Sequence, residues 1–282
     1  MNFKIDTATV YVPDGSPVDE AVAKTTHMAI SAHQDDIEIM AYQGVVECFG
    51  KDDKAFMGVV VTNGSGSPRD DLYADYSDED MQKVRRVEQM KAAFVGEYCA
   101  QALLDFPSGA VKDGKNADVV NDIKQLIRAA KPKVVYTHNL ADKHDTHVSV
   151  ALRVISAIRD LPKDARPEKL YACEVWRNLD WAIDEDKVVF DVGTHENLAA
   201  ALLGVFDSQI CGGKRYDLAA MGRRRANATF FASHGVDDTE GLAFGLDLTP
   251  LIEDDSIDPM AYINGYIDRF AAEVKDRMAK FS

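Results

Sequence analysis

The sequence has only four cysteines, Cys48, Cys99, Cys173 and Cys211, and no two of them form a CxxC pair. That spacing speaks against a cysteine zinc site and a disulfide framework, and it suits a reducing compartment. Basic charge is short as well: Lys+Arg is 32 against Asp+Glu 47, a formal net charge of −15. So acidic a chain is a poor binder of nucleic acid or of an anionic membrane surface, both of which need positive charge. No apolar run approaches the roughly 18 residues of a membrane span. The opening MNFKIDTATVYVPDG lacks the basic-then-apolar order of a secretory signal. We therefore expect a cytoplasmic protein with neither a nucleic-acid nor a membrane partner. Internal repeats, low-complexity tracts and obvious linkers are also missing.

What is present is an ordinary globular composition, 46% hydrophobic and 28% charged over 282 residues, ample for a large core. Short apolar runs alternate with longer amphipathic ones. The pattern predicts strands at 27–32, 56–62, 101–106, 133–138, 170–176 and 188–192. Helices are expected at 37–49, from the Ser77/Asp80 start to about 98, at 117–130 and from 145 to about 159. Three more helical stretches, near 195–208, 215–231 and 259–280, finish the chain. Strand–helix alternation predicts an α/β fold: a Rossmann-like open, mainly parallel sheet flanked by helices, with a helical C-terminal portion. We read residues 1–282 as a single domain, its core at about 27–210 and its helical portion at 211–282.

In such sheets a ligand sits beyond the carboxyl ends of the strands. After the first predicted strand a dinucleotide-binding protein would carry GxGxxG. This chain has His33-Gln34-Asp35-Asp36 instead. Carboxylates repel phosphate, so the turn is no phosphate cradle, and a nicotinamide enzyme is excluded. An imidazole beside anionic oxygens suits a divalent cation. The strand 133–138 runs into His138-Asn139-Leu140-Ala141-Asp142-Lys143-His144-Asp145-Thr146-His147. Histidines three apart at a helix start share a face. Each segment alone is commonplace, a capping pair or an N-cap with a solvated neighbour. Both at strand ends of one sheet is not. Together they could supply His, Asp and His with one coordination position open, the arrangement of a catalytic zinc site.

At these residues the chain resembles the PIG-L/LmbE superfamily of metal-dependent N-deacetylases. The signature His-Pro-Asp-Asp-x-Glu is matched by His33-Gln34-Asp35-Asp36-Ile37-Glu38, and Asp-x-His-Pro-Asp-His by Asp142-Lys143-His144-Asp145-Thr146-His147. Between them, Thr62-Asn63-Gly64 matches a Thr-x-Gly turn and Arg85-Arg86-Val87-Glu88 an Arg-x-x-Glu. Order and spacing agree over about 27–160, while Asp207-Ser208-Gln209 fits more loosely. Three departures stand out. Gln34 replaces proline, Met40-Ala41-Tyr42-Gln43 replaces glycine-rich positions, and Thr146 replaces an aspartate that supports the neighbouring histidine.

The resemblance implies that His33, Asp36 and His147 bind Zn²⁺ or another first-row divalent ion. It implies that Asp35 is the general base and that His144 stabilises the oxyanion or protonates the leaving amine. Asn63 and Arg85 would contact substrate hydroxyls. Asp142 or Asp145 would support a histidine in place of the missing aspartate. The expected substrate is a small N-acetylated sugar or its conjugate, of N-acetylglucosamine type, and the expected assembly is a homo-oligomer. The alternatives are an amidase acting on another N-acyl or thiol-conjugate amide, and a catalytically silent metal- or sugar-binding protein. Arg223-Arg224-Arg225 reads as internal ion-pair partners or a subunit contact. His234 and His195 read as surface residues, and His27 and His138 as packing or support. Tyr42, Trp176 and Trp181 read as core rather than as sugar-stacking rings.

Overall fold

The computed structural model describes residues 1–282. In chain order the elements are β1 (Thr9–Tyr11), α1 (Val18–Ala23), β2 (His27–Ser31), α2 (Asp36–Met40), α3 (Tyr42–Cys48), β3 (Phe56–Thr62), α4 (Asp78–Val95), β4 (Ala100–Phe106), α5 (Ser108–Lys112), α6 (Ala117–Ala130), β5 (Val134–His138), α7 (Asp145–Arg159), β6 (Lys169–Cys173), β7 (Val188–Asp191), α8 (Glu196–Gly204), α9 (Asp207–Ile210), α10 (Tyr216–Phe230), β8 (Leu242–Asp247), α11 (Thr249–Glu253) and α12 (Pro259–Ala279). The eight strands form one sheet in the order β1-β4-β3-β2-β5-β6-β8-β7. The central five pair in parallel, and β1, β8 and β7 join antiparallel at the edges. The fold is the expected α/β architecture with a largely helical C-terminal portion.

Local sequence explains most of these elements. Strands covered on both faces read as continuous apolar runs, and every residue of β2 and of β3 is buried. Their side chains alternate. Met28, Ile30, Met57, Val59 and Val61 join the core under α6 and α7, while Ala29, Phe56 and Val60 join the core under α2, α3 and α8. Helix α6 buries Val119, Ile123, Leu126, Ile127 and Ala130, a single stripe at helical spacing. The Asn116 side chain caps it by accepting from the Asp118 N–H at 3.0 Å. Ser77 and Asp80 form a reciprocal capping box at the start of α4.

The structure differs from the sequence reading in several places: helices α1, α5 and α11 were not expected, and the stretch 195–208 is two helices, α8 and α9. The stretch 37–49 is two helices, broken at Ala41. Strand β8 lies inside the portion expected to be helical, and β1 precedes the first expected strand. Both strands are short, and β8 carries Gly245, so their extended form comes from pairing with β6 and β7 or with β4 rather than from their own propensity.

The register matters most for function. His27 pairs with Val134 and Ile30 with Thr137, so β2 and β5 lie side by side with their carboxyl ends level. From β2 the chain goes on to β3 and β4 on one flank, and from β5 to β6 on the other. That divergence makes a crevice beyond β2 and β5, the place where an open α/β sheet binds its ligand.

Candidate active site

The turn after β2 is tightly specified. Asp35 sits at φ +90°, a left-handed conformation that a carboxylate side chain adopts only when its surroundings enforce it. Two hydrogen bonds do so. The Asp35 N–H donates to Gln89 Oε1 at 3.2 Å, and the His33 N–H donates to Asp36 Oδ2 at 2.7 Å. Gln34, standing where the resemblance leads one to expect proline, ties this turn to the next strand by donating from Nε2 to the Thr62 carbonyl at 3.2 Å. Gly64 faces it at φ +73°, and a Cβ there would lie 2.4 Å from Gln34 Oε1, so this turn requires glycine.

Across the crevice, the loop after β5 delivers His144 and His147 at the start of α7. The His147 ring is oriented by Asp142, whose Oδ2 accepts from the Nδ1–H at 3.2 Å, while Asp142 Oδ1 accepts from the His144 N–H at 3.0 Å. Asp142 therefore occupies the supporting position that the sequence left open between two residues; Asp145 is exposed on the first turn of α7. With Nδ1 engaged, His147 Nε2 is free and points into the crevice. It lies 3.2 Å from His33 Nδ1 and 3.4 Å from Asp36 Oδ2, and His33 Nδ1 lies 3.2 Å from Asp36 Oδ2. Donors bound at about 2.1 Å in tetrahedral geometry sit about 3.4 Å apart, so this triangle could hold one divalent ion. His138, Asp142 and His147 form a second group of ligand-bearing side chains deeper in the same place.

The charges explain why these groups stay together. Burial would raise Asp36, but the imidazoles of His147 and His138 reverse this and hold it well below the usual carboxylate range. Burial lowers His33, and it lowers His138 to about 4, so both remain neutral imidazoles, the lone pair of His138 Nε2 being taken by the Ala32 N–H. Burial pushes His147 down too, yet the carboxylates of Asp36 and Asp142 outweigh it and raise the ring. Asp35 is raised well above its ordinary value, first by burial and then by the charges of Asp36 and Glu38. Arg85 opposes this from 3.3 Å, and a bound cation would act in the same direction. Glu38 ends the signature and is pushed to about 7 by burial. It accepts from the Tyr98 hydroxyl at 2.8 Å and from Gln89 Nε2 at 2.9 Å, which makes it a tie between α2, α4 and the sheet.

These groups open into a cavity of about 350 Å³. His33, Asp35, Asp36, Arg85, His144 and His147 all line it. Arg85 is buried and bonds Asp35, the Gln34 carbonyl and Ser67, so it makes no surface pair with Glu88. Glu88 instead accepts from both the N–H and the hydroxyl of Ser208 at 2.7 Å, which fastens the Asp207-Ser208-Gln209 segment to α4 and sets Gln209 in the cavity wall. Asn63 is not part of the lining; its Oδ1 accepts from the Ser65 N–H at 3.2 Å.

Of the aromatic residues read as core, Tyr42 is buried in it and Trp181 packs against it, while Trp176 divides its surface between core and cavity. Trp176 is half-buried and walls the cavity, whereas Trp181 donates to Glu174 at 3.0 Å and Tyr42 lies under the Arg224 guanidinium, 4.3 Å from its ring centre. Of the arginine cluster, only Arg225 pairs with carboxylates, those of Glu196 and Glu240. Arg223 and Arg224 donate to the carbonyls of Val175 and Glu38 at 2.6 Å. His138, read as packing or support, is buried beside the site: its Nε2 accepts from the Ala32 N–H at 2.8 Å and lies 3.3 Å from Asp36 Oδ2. Its place as the last residue of a buried strand beside β2 was the available signal. Gln89, four residues after Arg85 on one helix face, was readable in the same way. Lys214 and Tyr216, which also line the cavity, carried no signal.

With this geometry in view, comparison with known proteins places the chain. The family model described as PIG-L, GlcNAc-PI de-N-acetylase, matches residues 28–158. That match spans both signature segments and a little under half of the chain. A search of curated protein sequences finds no match. Among solved structures, a conserved protein from Thermus thermophilus aligns over 83% of this chain and 99% of its own, with a TM-score of 0.60 at 16% identity. The N,N'-diacetylchitobiose deacetylase from Pyrococcus horikoshii covers 78% of this chain and 83% of its own (TM-score 0.56, 15% identity). The 4-carboxy-2-hydroxymuconate hydratase from Pseudomonas putida covers 79% and 96% (TM-score 0.58, 15% identity). At these identities the likeness is one of fold, and the fold serves both a deacetylase and a hydratase. No helix is long and apolar enough to cross a membrane.

Proposed function

We propose that the protein is a metal-dependent hydrolase that removes the acetyl group from an N-acetylated amino sugar or its conjugate. The observation that carries this reading is the triangle of His33 Nδ1, Asp36 Oδ2 and His147 Nε2 at the floor of a cavity that Asp35 also lines. The PIG-L match over the residues that build that floor supports the amide as the bond attacked. A divalent ion held by these three residues, Zn²⁺ or another first-row ion, would polarise the acyl carbonyl and acidify water.

The protein's own groups supply the rest. Asp35 takes the proton of the attacking water and passes it to the departing nitrogen, so the C–O bond forms, the C–N bond breaks, and the products are acetate and an amine. Arg85 neutralises and aims Asp35. His144 Nδ1 accepts from the Thr146 N–H at 3.3 Å, which puts the ring proton of the neutral tautomer on Nε2. Burial and the nearby His147 and His33 keep His144 below its ordinary pKa. It therefore acts as a hydrogen-bond donor to the tetrahedral oxyanion rather than as an acid.

The test is acetate release from a panel of N-acetylated amino sugars and non-sugar N-acyl amines, after chelation and after adding back Zn²⁺, Fe²⁺ or Mn²⁺. Metal-restored release from the sugars is expected. Release confined to non-sugar amides would move the reading to another amidase. Stoichiometric metal uptake with no release from any compound would leave a silent binding protein.

A further inference from the structure

Helix α12 is anchored at one end only. Of its 21 residues, Ile263 and Tyr266 are buried. The hydroxyls of Tyr262 and Tyr266 donate to the Asp247 carbonyl at 2.8 and 3.3 Å, and Arg269 pairs with Asp186 at 2.7 Å. None of these anchors lies beyond Arg269, and from Val274 onward every residue is exposed. Helices in water owe most of their stability to an apolar face packed against a neighbour.

The second half of α12 carries such a face uncovered. Ile267, Ala271, Val274 and Met278 follow one another at steps of four, three and four. At 3.6 residues per turn they fall within about 60° of one another, on a side adjoining the one that carries Ile263 and Tyr266. Ala271 is half-buried, whereas Ile267, Val274 and Met278 are 42%, 42% and 66% exposed. Alternating steps of four and three are the spacing of a coiled-coil seam.

The flanking charges select what covers the seam. Asp268 and Lys275 border it on the same side, one residue after Ile267 and Val274. Both remain unpaired within the chain, since the ion pairs of α12 are Arg269–Asp186 and Arg277–Glu273. Let two copies of α12 run antiparallel, with Ala271 against the partner's Val274 and Ile267 against the partner's Met278. Asp268 then stands beside the partner's Lys275, and the two-fold axis repeats the pair. A slip of one heptad either way sets Asp268 against Asp268 or Lys275 against Lys275. Parallel helices would set Lys275 beside Phe270. Only the first arrangement fills the seam and pairs both charges.

We propose that α12 is a self-association surface: two copies of this chain dimerise by pairing their α12 helices antiparallel, in that register.

The test is sedimentation equilibrium of the full chain over about 1–100 μM, where mass action separates a weak dimer from a monomer. Wild type should approach twice the chain mass. Val274→Glu/Met278→Glu changes exposed positions only, so far-UV circular dichroism should stay as in wild type. Its four carboxylates in the seam should weaken association at least about a hundredfold. Asp268→Lys and Lys275→Asp each set like charges opposite one another twice, and each should weaken association about tenfold, less so at high salt. Asp268→Lys/Lys275→Asp in one chain should restore wild-type affinity. An equimolar mixture of the two single variants should do the same, because each then meets its opposite; a mere loss of helix would be rescued by neither. Wild type that stays monomeric throughout overturns the proposal, as does an assembly of any size that the two glutamates leave unchanged. Insensitivity to the single reversals, or no recovery in the double variant and in the mixture, overturns it too.

Discussion

The two ends of the sheet make an instructive pair. The amino end carries the larger concavity, about 1060 Å³, walled by Lys24, Lys51, Asp52, Asp53, Lys54 and Phe94. The carboxyl end carries only about 350 Å³. Yet the amino-end charges are solvent-facing, and Glu47 there pairs with Lys51 and Lys54 at the surface. Its one buried imidazole, His27, is occupied by Thr26 at 2.9 Å and by Cys48 at 3.4 Å. The Cys48 thiol is pushed up to about 12 by burial and is inert. At the carboxyl end four imidazoles and three carboxylates converge, buried or half-buried, and His33 Nδ1, Asp36 Oδ2 and His147 Nε2 lie within 3.4 Å of one another. Volume did not mark the site. Convergence of costly buried groups did.

Breaking the carboxyl end should have the largest effect. His147→Ala removes a corner of the ligand triangle, and loss of bound metal together with at least about a thousandfold loss of turnover is expected. Metal analysis and acetate release on the same preparation check this; a fully active, metal-loaded variant would break the comparison. Asp35→Asn comes next. It should bind metal as wild type does and lose about 10²–10⁴ in kcat, the usual share of a general base. Unchanged kcat would take Asp35 out of the mechanism.

Arg85→Met should act on stability as well as on rate, since it strands a buried carboxylate. We expect about 3 kcal/mol of destabilisation in urea, against well under about 1 kcal/mol if Asp35 finds water instead. At the amino end, Lys51→Ala and Lys54→Ala remove only surface pairs. Activity within about twofold and stability within about 0.5 kcal/mol of wild type are expected. A large loss of turnover there would show that the bigger groove takes part in function.

The smallest effect concerns pH. Burial holds His27 below its ordinary value of 6.5 in the folded protein. The unfolded chain therefore binds the proton first, so this residue's contribution is present above pH 6.5 and declines as pH falls below it. His27→Gln should flatten the loss of urea midpoint between about pH 7 and pH 5 relative to wild type. A slope no flatter than wild type would show that His27 takes no part in the acid sensitivity.

Motif chemistry and strand periodicity were legible together. Asp35 and Asp36 after one apolar run and His144 and His147 after another already pointed to one crevice, because parallel strands bring their carboxyl ends to one edge. The helix stripes of α6 and α7 and the capping box at Ser77 were equally local, and so equally readable. Strand β8 was not, since six residues with a central glycine become extended only when neighbours offer hydrogen bonds. Arg85 and Glu88 read as one Arg-x-x-Glu motif on a single helix, with Arg85 expected to contact substrate hydroxyls. The structure turned each to a different neighbour across the fold, Asp35 and Ser208.

The amino-acid order by itself determined the alternation of strands and helices, the acidic surface and the presence of two imidazole–carboxylate turns, because those are matters of period and composition. Tertiary structure decided which lone pairs meet, that Asp142 rather than Asp145 holds His147, that His138 stands against Asp36, and that Lys143 and Lys214 both stand beside Trp176. Those facts depend on the level register of β2 against β5 and on loops packed from distant parts of the chain. No spacing along a polymer encodes where two such loops come to face each other.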